Sequence, residues 1–464
     1  MSRIFLIAAM VLMATAADAK EPVFARKTPG DDGKWSLYEE ILARVPPLKN
    51  DRGGRWPMIM WDGVSFEPQP REVYEQLLAR GLLQHIRMDD KMIPTAKALQ
   101  EAGSPVIMMQ GAGGPWPASV AGDTKNWAHQ LDPDFKPERY VRPCLWMNSG
   151  WGINADNVRA TLGKFKDAGV TVDAVWMDWE GDPLFGRDRY DQAMHCSRCR
   201  EMLPKWILAS RENFSAYCWR QYQELTGSYL AAPVAEVFPG CSTTNWMAVF
   251  STADRPLLHW NDRVLPPSAS PMFTATNPVA YGNTVFMHHV DKAIWADGER
   301  VDQAYAHLLL RMVSDNAANC LAWAPEKDCF PWVARWCPDD EDPKVPIMSR
   351  ARYREVLRHI WLRGADGIQI FQPRRRGYKD IVMSEMEDAV IVYDEMLAYR
   401  GLLDEGQVMC TDVPGVQDDG AVWSGLRTQD RAVVRAFKQG GGRRGWSSRR
   451  GPAIRSSFAP LPKE

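Results

Sequence analysis

Short apolar runs alternate with amphipathic stretches along most of this chain, and a glycine stands where several of those stretches end. Gly81, Gly103, Gly169 and Gly364 each follow a helical pattern and precede an apolar run, where a helix C-terminus favours a residue that tolerates positive φ. Strands are expected at Pro57–Trp61, Gln84–Met88, Pro105–Gln110, Ala174–Asp178, Ser242–Trp246, either Pro271–Thr274 or Thr284–His288, Cys320–Trp323 and Gly367–Phe371. Helices are expected between them, at Arg71–Arg80, Ile93–Ala102, Asn154–Ala168, Asn213–Leu225, Val301–Asp315, Arg350–Arg363 and Glu385–Leu397. Repeated strand–helix units predict an α/β fold with parallel strands, a (β/α)8 TIM barrel with long insertions after its third, fourth and fifth strands. A doubly wound open sheet is the alternative. No Gly-x-Gly-x-x-Gly follows the first strand, and no Walker loop or Gly-x-Ser-x-Gly elbow occurs, so no cofactor is called for.

At 464 residues with 45% hydrophobic content, the chain can bury a large core. A formal net charge of -2 gives no reason to expect nucleic acid or an anionic membrane as partner. Arg3 precedes the apolar run Ile4–Ala16, and Ala17 and Ala19 are small residues suited to a cleavage site, so residues 1–19 read as a signal peptide. The apolar run is too short to span a bilayer, so an exported chain, secreted or periplasmic and free of the membrane after cleavage, is expected. The barrel is expected over 20–404. Apolar segments at 420–426 and 431–437 read as a β-hairpin within 405–438, opening a small and incomplete C-terminal β-domain. Residues 439–464 are basic, lack periodic apolar character and read as a disordered tail.

Nine cysteines (144, 196, 199, 218, 241, 320, 329, 337 and 410) leave at least one thiol unpaired, although export permits disulfides. Cys196 and Cys199 form a lone Cys-x-x-Cys, which reads as a tight structural disulfide, half a zinc site or a redox pair. No second Cys-x-x-Cys and no His-x-x-x-His accompanies it, so no metal ligands are assigned.

The chemistry concentrates in DAVWMDWEGDP, Asp173 to Pro183. Strand side chains alternate, so Trp176, Asp178 and Glu180 share one face while Val175, Met177 and Trp179 share the other. In a barrel, Asp178 and Glu180 reach the C-terminal mouth, where active sites of this fold lie. Glycoside hydrolysis needs a carboxylic acid to protonate the leaving group and a carboxylate to support a cationic transition state. Proximity of like charges and a partly apolar wall separate the two pKa values. Two such acids are otherwise a mouth salt bridge with arginine.

Val175-Trp-Met-Asp-Trp-Glu180 resembles the Asp-Trp-Glu strand of hyaluronidases and chitinase-type enzymes, which are (β/α)8 glycosidases. That resemblance implies Glu180 as general acid and Asp178 as the residue that orients the substrate's acetamido group, the nucleophile. Asp173 matches the first acid of the chitinase pattern, whereas Trp176 departs from it. Gly364-Ala-Asp-Gly-Ile-Gln-Ile370 is similar to the last barrel strand of hyaluronidases. A second resemblance, to the Trp-x-Asp-Met-Asn-Glu-Pro strand of retaining α-glucosidases, implies Asp178 as nucleophile and Asp262 as acid.

Further mouth candidates are Trp61, Asp62, Asp89, Asn245, Trp246, Tyr281, Trp323 and Gln372, with Arg87, Asp90 and Gln110 at the ends of strands two and three. A polar residue ending a strand also serves as a helix cap, and a tryptophan also serves as core. With 20 tryptophans, several near strand ends, a carbohydrate polymer or oligosaccharide is the expected substrate. The reading is an exported glycoside hydrolase. The alternatives are a retaining α-glycosidase, a barrel that binds glycans without turnover, and a polysaccharide lyase with a Tyr/His base.

Overall fold

The computed structural model describes residues 11–12, 21–61, 67–110, 130–137, 148–177, 187–245, 273–280, 292–323, 328–336, 344–371, 375–414 and 421–438. Eight parallel segments occur among them. In chain order they are β1 (Met58–Met60), β2 (Leu82–Gln84 and Ile86–Arg87), β3 (Ile107–Gln110), β4 (Ala174–Met177), β5 (Ser242–Asn245), β6 (Ala275–Thr276 and Val279–Ala280), β7 (Asp328–Cys329 and Trp332–Val333) and β8 (Gln369–Ile370). Helices Arg71–Leu78, Ile93–Glu101, Asn148–Asp167, Arg211–Thr226, Gly298–Trp323, Arg350–Trp361 and Lys379–Leu397 lie between or after these segments. The chain is therefore α/β with parallel sheets.

Pairing follows sequence order. One ladder runs β6-β7-β8-β1-β2, another runs β2-β3-β4-β5, and β7 pairs β6 again at their first halves. The ladders stay separate where β2 breaks at His85 and between β5 and β6, where Thr274 N donates to Thr243 O at 3.1 Å. Side chains also tie the starts of neighbouring strands together. Asp173 accepts from Val106 N, Thr274 Oγ1 from Thr243 N and Asp366 from Cys329 N, each at 2.8 Å. These acceptors satisfy backbone donors that no strand pairing reaches.

The helix stops lie at the glycines that the pattern picked out. Gly81, Gly103, Gly169 and Gly364 all have φ between 67° and 86°, a conformation open to glycine at little cost. At Gly81 a Cβ would also meet Leu48 and Tyr393 side chains at 2.9 Å. The helices then bury the outward strand faces: Val106, Met108, Val175 and Met177 pack with Val158, Leu162 and Phe165 in one cluster. Ile59, Trp61, Leu83, Ile107, Ala174, Trp176, Ala275, Phe330 and Trp332 form a separate inward cluster. Full burial of a large apolar side chain is worth roughly 1.5–3 kcal/mol, so two dry faces give each strand a fixed register.

Two strand expectations are corrected. Cys320–Trp323 is the last turn of the helix Gly298–Trp323, and the seventh strand begins at Asp328. A four-residue apolar run has too little length for its period to separate strand from helix. The sixth strand begins at Ala275, just past the first alternative, and Thr284–His288 lies outside the described residues. The helix Lys379–Leu397 starts six residues before its expected first residue, because Asp31 Oδ2 accepts from Lys379 N at 3.0 Å and caps it.

Gln407–Val408, Ala421–Arg427 and Ala432–Lys438 form antiparallel pairs, with Val11–Leu12 laid parallel to the last of them. This sheet shares the main core: Val422, Leu426 and Phe437 pack with Tyr353, Val356 and Ile360. Arg363 reaches under it, donating from Nη2 to Trp423 O and from Nε to Ser424 Oγ, at 2.9 and 2.8 Å.

Candidate active site

Register decides which side chains face the interior. Arg87 pairs with Met109, Met109 with Trp176 and Trp176 with Thr244. Residues paired in parallel strands point to one side, and Trp176 belongs to the inward cluster. Arg87, Met109, Trp176 and Thr244 therefore make one inward row near the C-terminal ends of β2 to β5. Asp178, Glu180 and Trp246 follow β4 and β5 in the sequence and lie outside the described residues, as do Asp62, Asp262, Tyr281 and Gln372.

Below that row the interior is aromatic and tightly tied. Trp61 stacks on Trp332 with centroids 4.0 Å apart and donates from Nε1 to Gln369 Oε1 at 2.5 Å. Trp176 meets Phe330 edge to face at 4.9 Å. Trp61 is 8% exposed and Trp176 only 1%. Trp176 is thus part of the buried interior, not an open stacking surface. Asn277, with its amide turned to satisfy both neighbours, accepts from Trp332 Nε1 at 3.0 Å and donates to Asn245 O.

His85 interrupts β2 and lies against Trp61 at 4.5 Å between centroids. Its Nδ1 faces Met60 O at 3.0 Å, so Nδ1 carries the proton and donates. Burial pushes its pKa down to about 4, with Arg87 adding to the effect against the hydrogen bond to Met60. The imidazole is neutral at ordinary pH.

Several expected contacts point elsewhere. Asp89 caps the turn Asp90–Met92 by accepting from Lys91 N at 3.0 Å, and Asp90 pairs with Lys164 at 2.5 Å. Gln110 and Asn245 are in register with each other's neighbour Met177 and so share the outward face. Gln110 donates to Asn154 Oδ1 at 3.3 Å in the flanking helix. Trp323 ends a helix rather than a strand. Asp173 supports the base of β3 through Val106 N, at the opposite end from the mouth, and burial raises its pKa. No disulfide joins Cys196 to Cys199. Cys196 caps the helix Ser197–Met202 and accepts from Gln130 N at 3.2 Å.

Among the described residues no three His, Cys, Asp or Glu side chains gather as a metal ion needs. A groove of about 280 Å³ lies around the start of Lys379–Leu397. Its charges are already matched, Lys34 with Asp32 and Asp380 with Arg44, and it lies apart from the inward row.

No protein-family model matches the sequence, and no curated protein matches it. Solved structures align over much of the chain. Alpha-L-fucosidase isoenzyme 2 from Paenibacillus thiaminolyticus aligns at 11% identity and a TM-score of 0.43, covering 74% of this chain and 50% of that one. A beta-galactosidase from the haloarchaeon Halorubrum lacusprofundi aligns at 14% identity and 0.47, covering 74% and 58%. An alpha-amylase from Lactobacillus plantarum aligns at 10% and 0.41, covering 82% and 87%. The chain thus spans between half and three-fifths of the first two structures.

Proposed function

We propose that the chain is an exported glycoside hydrolase whose eight parallel segments form one (β/α)8 barrel, with Glu180 as general acid/base and Asp178 as its partner. One observation carries the reading. Ala174 and Trp176 face the interior, and the same alternation continued past Met177 would carry Asp178 and Glu180 to that side at the strand's C-terminal end. The cyclic order of pairing, with β8 beside β1, supports the barrel. The stretch at residues 1–19 supports export, and so a secreted or periplasmic enzyme.

The chemistry follows from the pair. Glu180, protonated, gives its proton to the glycosidic oxygen as the bond to the anomeric carbon breaks. On an N-acetylhexosamine the substrate's acetamide oxygen attacks that carbon, while Asp178 accepts from the acetamide N–H and holds it in line. Glu180 then takes a proton from the water that opens the cyclic intermediate. The neutral His85 and apolar floor below favour a protonated acid over a second carboxylate.

The test compares aryl glycosides with and without a 2-acetamido group, on the unsubstituted chain and on Glu180→Gln. Turnover of the acetamido substrate alone, abolished by Glu180→Gln and blocked by a thiazoline inhibitor, supports the assignment. Equal turnover of the non-acetylated glycoside moves the nucleophile to Asp178. Unchanged hydrolysis in Glu180→Gln sinks the role given to Glu180, and binding without turnover makes the barrel a glycan-binding module.

A further inference from the structure

The helix Arg350–Trp361 and the strands Ala421–Arg427 and Ala432–Lys438 meet over a buried run of polar groups. Arg363, just past the helix, is 0% exposed and meets no carboxylate among the described residues. It donates from Nε to Ser424 Oγ at 2.8 Å, from Nη1 to Ser314 Oγ, and from Nη2 to Asp412 O and Trp423 O, both at 2.9 Å. Ser424 and His359 are equally enclosed. Ser424 Oγ lies 2.7 Å from His359 Nδ1, and His359 Nε2 lies 3.4 Å from Glu355 Oε1. Arg435, on the last strand, completes the run by donating to both oxygens of Glu355.

Both ends of this run fix its direction. A guanidinium only donates, so Ser424 Oγ accepts from Arg363 and has its own hydrogen to give to His359 Nδ1. A carboxylate only accepts, so the imidazole hydrogen belongs on Nε2, on the side of Glu355. His359 is therefore held neutral with Nδ1 bare, and a second proton would have to sit there, against the Ser424 hydrogen. Burial lowers the pKa of His359, and Arg363 and Arg435 add to that against the pull of Glu355. Glu355 also answers Arg358, at 3.3 Å. The Phe437 ring covers the imidazole edge to face at 4.9 Å, and Cys410 and Asp412 lie beyond it, beside Arg363.

We propose that His359 is an acid-sensitive latch: neutral, it keeps the strands Ala421–Arg427 and Ala432–Lys438 on the helix Arg350–Trp361, and protonated, it lets them open. Protonation sets three cations, His359, Arg363 and Arg435, around the Glu355 carboxylate in a space closed to water. It also forces the Ser424 hydroxyl to turn from the ring. The strands are the part that moves, because Ser424 and Arg435 are their polar ties to this cluster. His85, the other buried neutral imidazole of the fold, bonds to Met60 O between β1 and β2, so its protonation cannot give a change confined to the C-terminal strands.

The experiment is hydrogen exchange read by mass spectrometry on the full chain from pH 7.5 to 5, corrected for intrinsic exchange, with the His359 ring titrated by NMR beside it. Below the ordinary histidine pKa of about 6.5 the closed state binds fewer protons than the opened one. Opening of 421–438 should therefore rise as pH falls, by up to about tenfold per pH unit. Peptides from β3 and β4 should not follow. His359→Asn offers an amide oxygen to Ser424 in place of Nδ1 and cannot take up a proton, so its opening should stay flat over the same range. A ring that titrates at or above pH 6.5, unchanged protection of 421–438, or a rise that persists in His359→Asn overturns the proposal. Should His359→Asn fail to fold, the unsubstituted chain decides. Opening confined to 421–438, with a ring that titrates below pH 6.5, upholds the latch, and opening spread over β3 and β4 overturns it.

Discussion

Trp61 on the β1 end and Gln369 on β8 are joined through the indole N–H and the amide oxygen at 2.5 Å. The other end of that amide donates to Phe330 O at 3.0 Å, so a single side chain ties β1, β7 and β8 inside the fold. Gln369→Leu leaves the Trp61 donor and the Phe330 carbonyl buried without partners. A loss of about 1–3 kcal/mol is expected in urea unfolding, from desolvated groups left unsatisfied. Adding Trp61→Phe removes the orphaned donor, so the double variant should lose less than the two single losses together. Strict additivity would show that the contact contributes nothing.

Glu385 is fully enclosed between Arg335 and the helix that carries it, accepting from Arg335 N and from Trp336 N. Burial drives its pKa up to about 8, against the opposing pull of Arg335. The folded state therefore holds a proton that the unfolded chain releases near pH 4.3. Between that pH and about 8 the native state binds more protons, so this group makes stability fall as pH rises, by up to roughly 1.4 kcal/mol per unit. Glu385→Gln keeps an acceptor and cannot ionise. Its unfolding free energy, measured from pH 5 to 8, should decline less steeply than that of the parent, and parallel curves would refute the assignment.

Glu355 shows the opposite sign. Burial alone would raise its pKa, but the nearby His359 ring and the Arg435 guanidinium outweigh it and hold the carboxyl at about 2. Arg435 donates to both of its oxygens, at 2.6 and 2.7 Å. The stabilisation is complete above the ordinary carboxylate pKa and disappears as pH falls through about 2. Arg435→Met strands a mostly buried anion and should cost about 3 kcal/mol near neutral pH. Because Arg435 lies on the last strand and Glu355 on the helix Arg350–Trp361, proteolysis within 421–438 should accelerate before the rest of the chain opens. Adding Glu355→Gln should restore much of the loss.

Elements with a long period or a glycine stop were legible in the sequence. Arg71–Leu78, Ile93–Glu101 and Arg350–Trp361 lie where spacing put them, and β1, β3, β4 and β5 differ by only a residue or two at their ends. The misses share a cause. In β6 the pair Asn277-Pro278 reads as a turn, and in β7 Pro331 interrupts the run, so both strands carry the marks of loops. Meanwhile Cys320–Trp323 has strand composition but belongs to a helix whose period began twenty residues earlier. Within the site, period two alone sorted Trp176 from Met177. The sorting of Arg87 from Asp89 and of Thr244 from Asn245 needed the cross-strand register and the capping bond at Lys91. No local pattern carries that information, because it depends on which residue the neighbouring strand sets opposite.

Cys241 tests how tightly the helices and strands pack beside β4 and β5. It directly precedes β5, 5% exposed, and its Sγ lies 3.6 Å from Ser242 O. Burial pushes the thiol up to about 12, and the neighbouring Asp173 carboxylate adds to that by disfavouring a second negative charge. Only the thiolate is alkylated at useful rates. Iodoacetamide at pH 8 should therefore leave Cys241 unmodified in the native chain and label it once the chain unfolds, as peptide mass mapping would resolve. Asp173→Asn removes the nearby charge and weakens the tie to Val106 N, so labelling should accelerate through both a lower pKa and easier opening of the β3–β4 edge. Varying the pH separates the two, since a pKa effect shifts the labelling profile along the pH axis while easier opening raises it at every pH. Prompt labelling of the unsubstituted native chain would mean that the β4–β5 edge opens far more often than this packing allows.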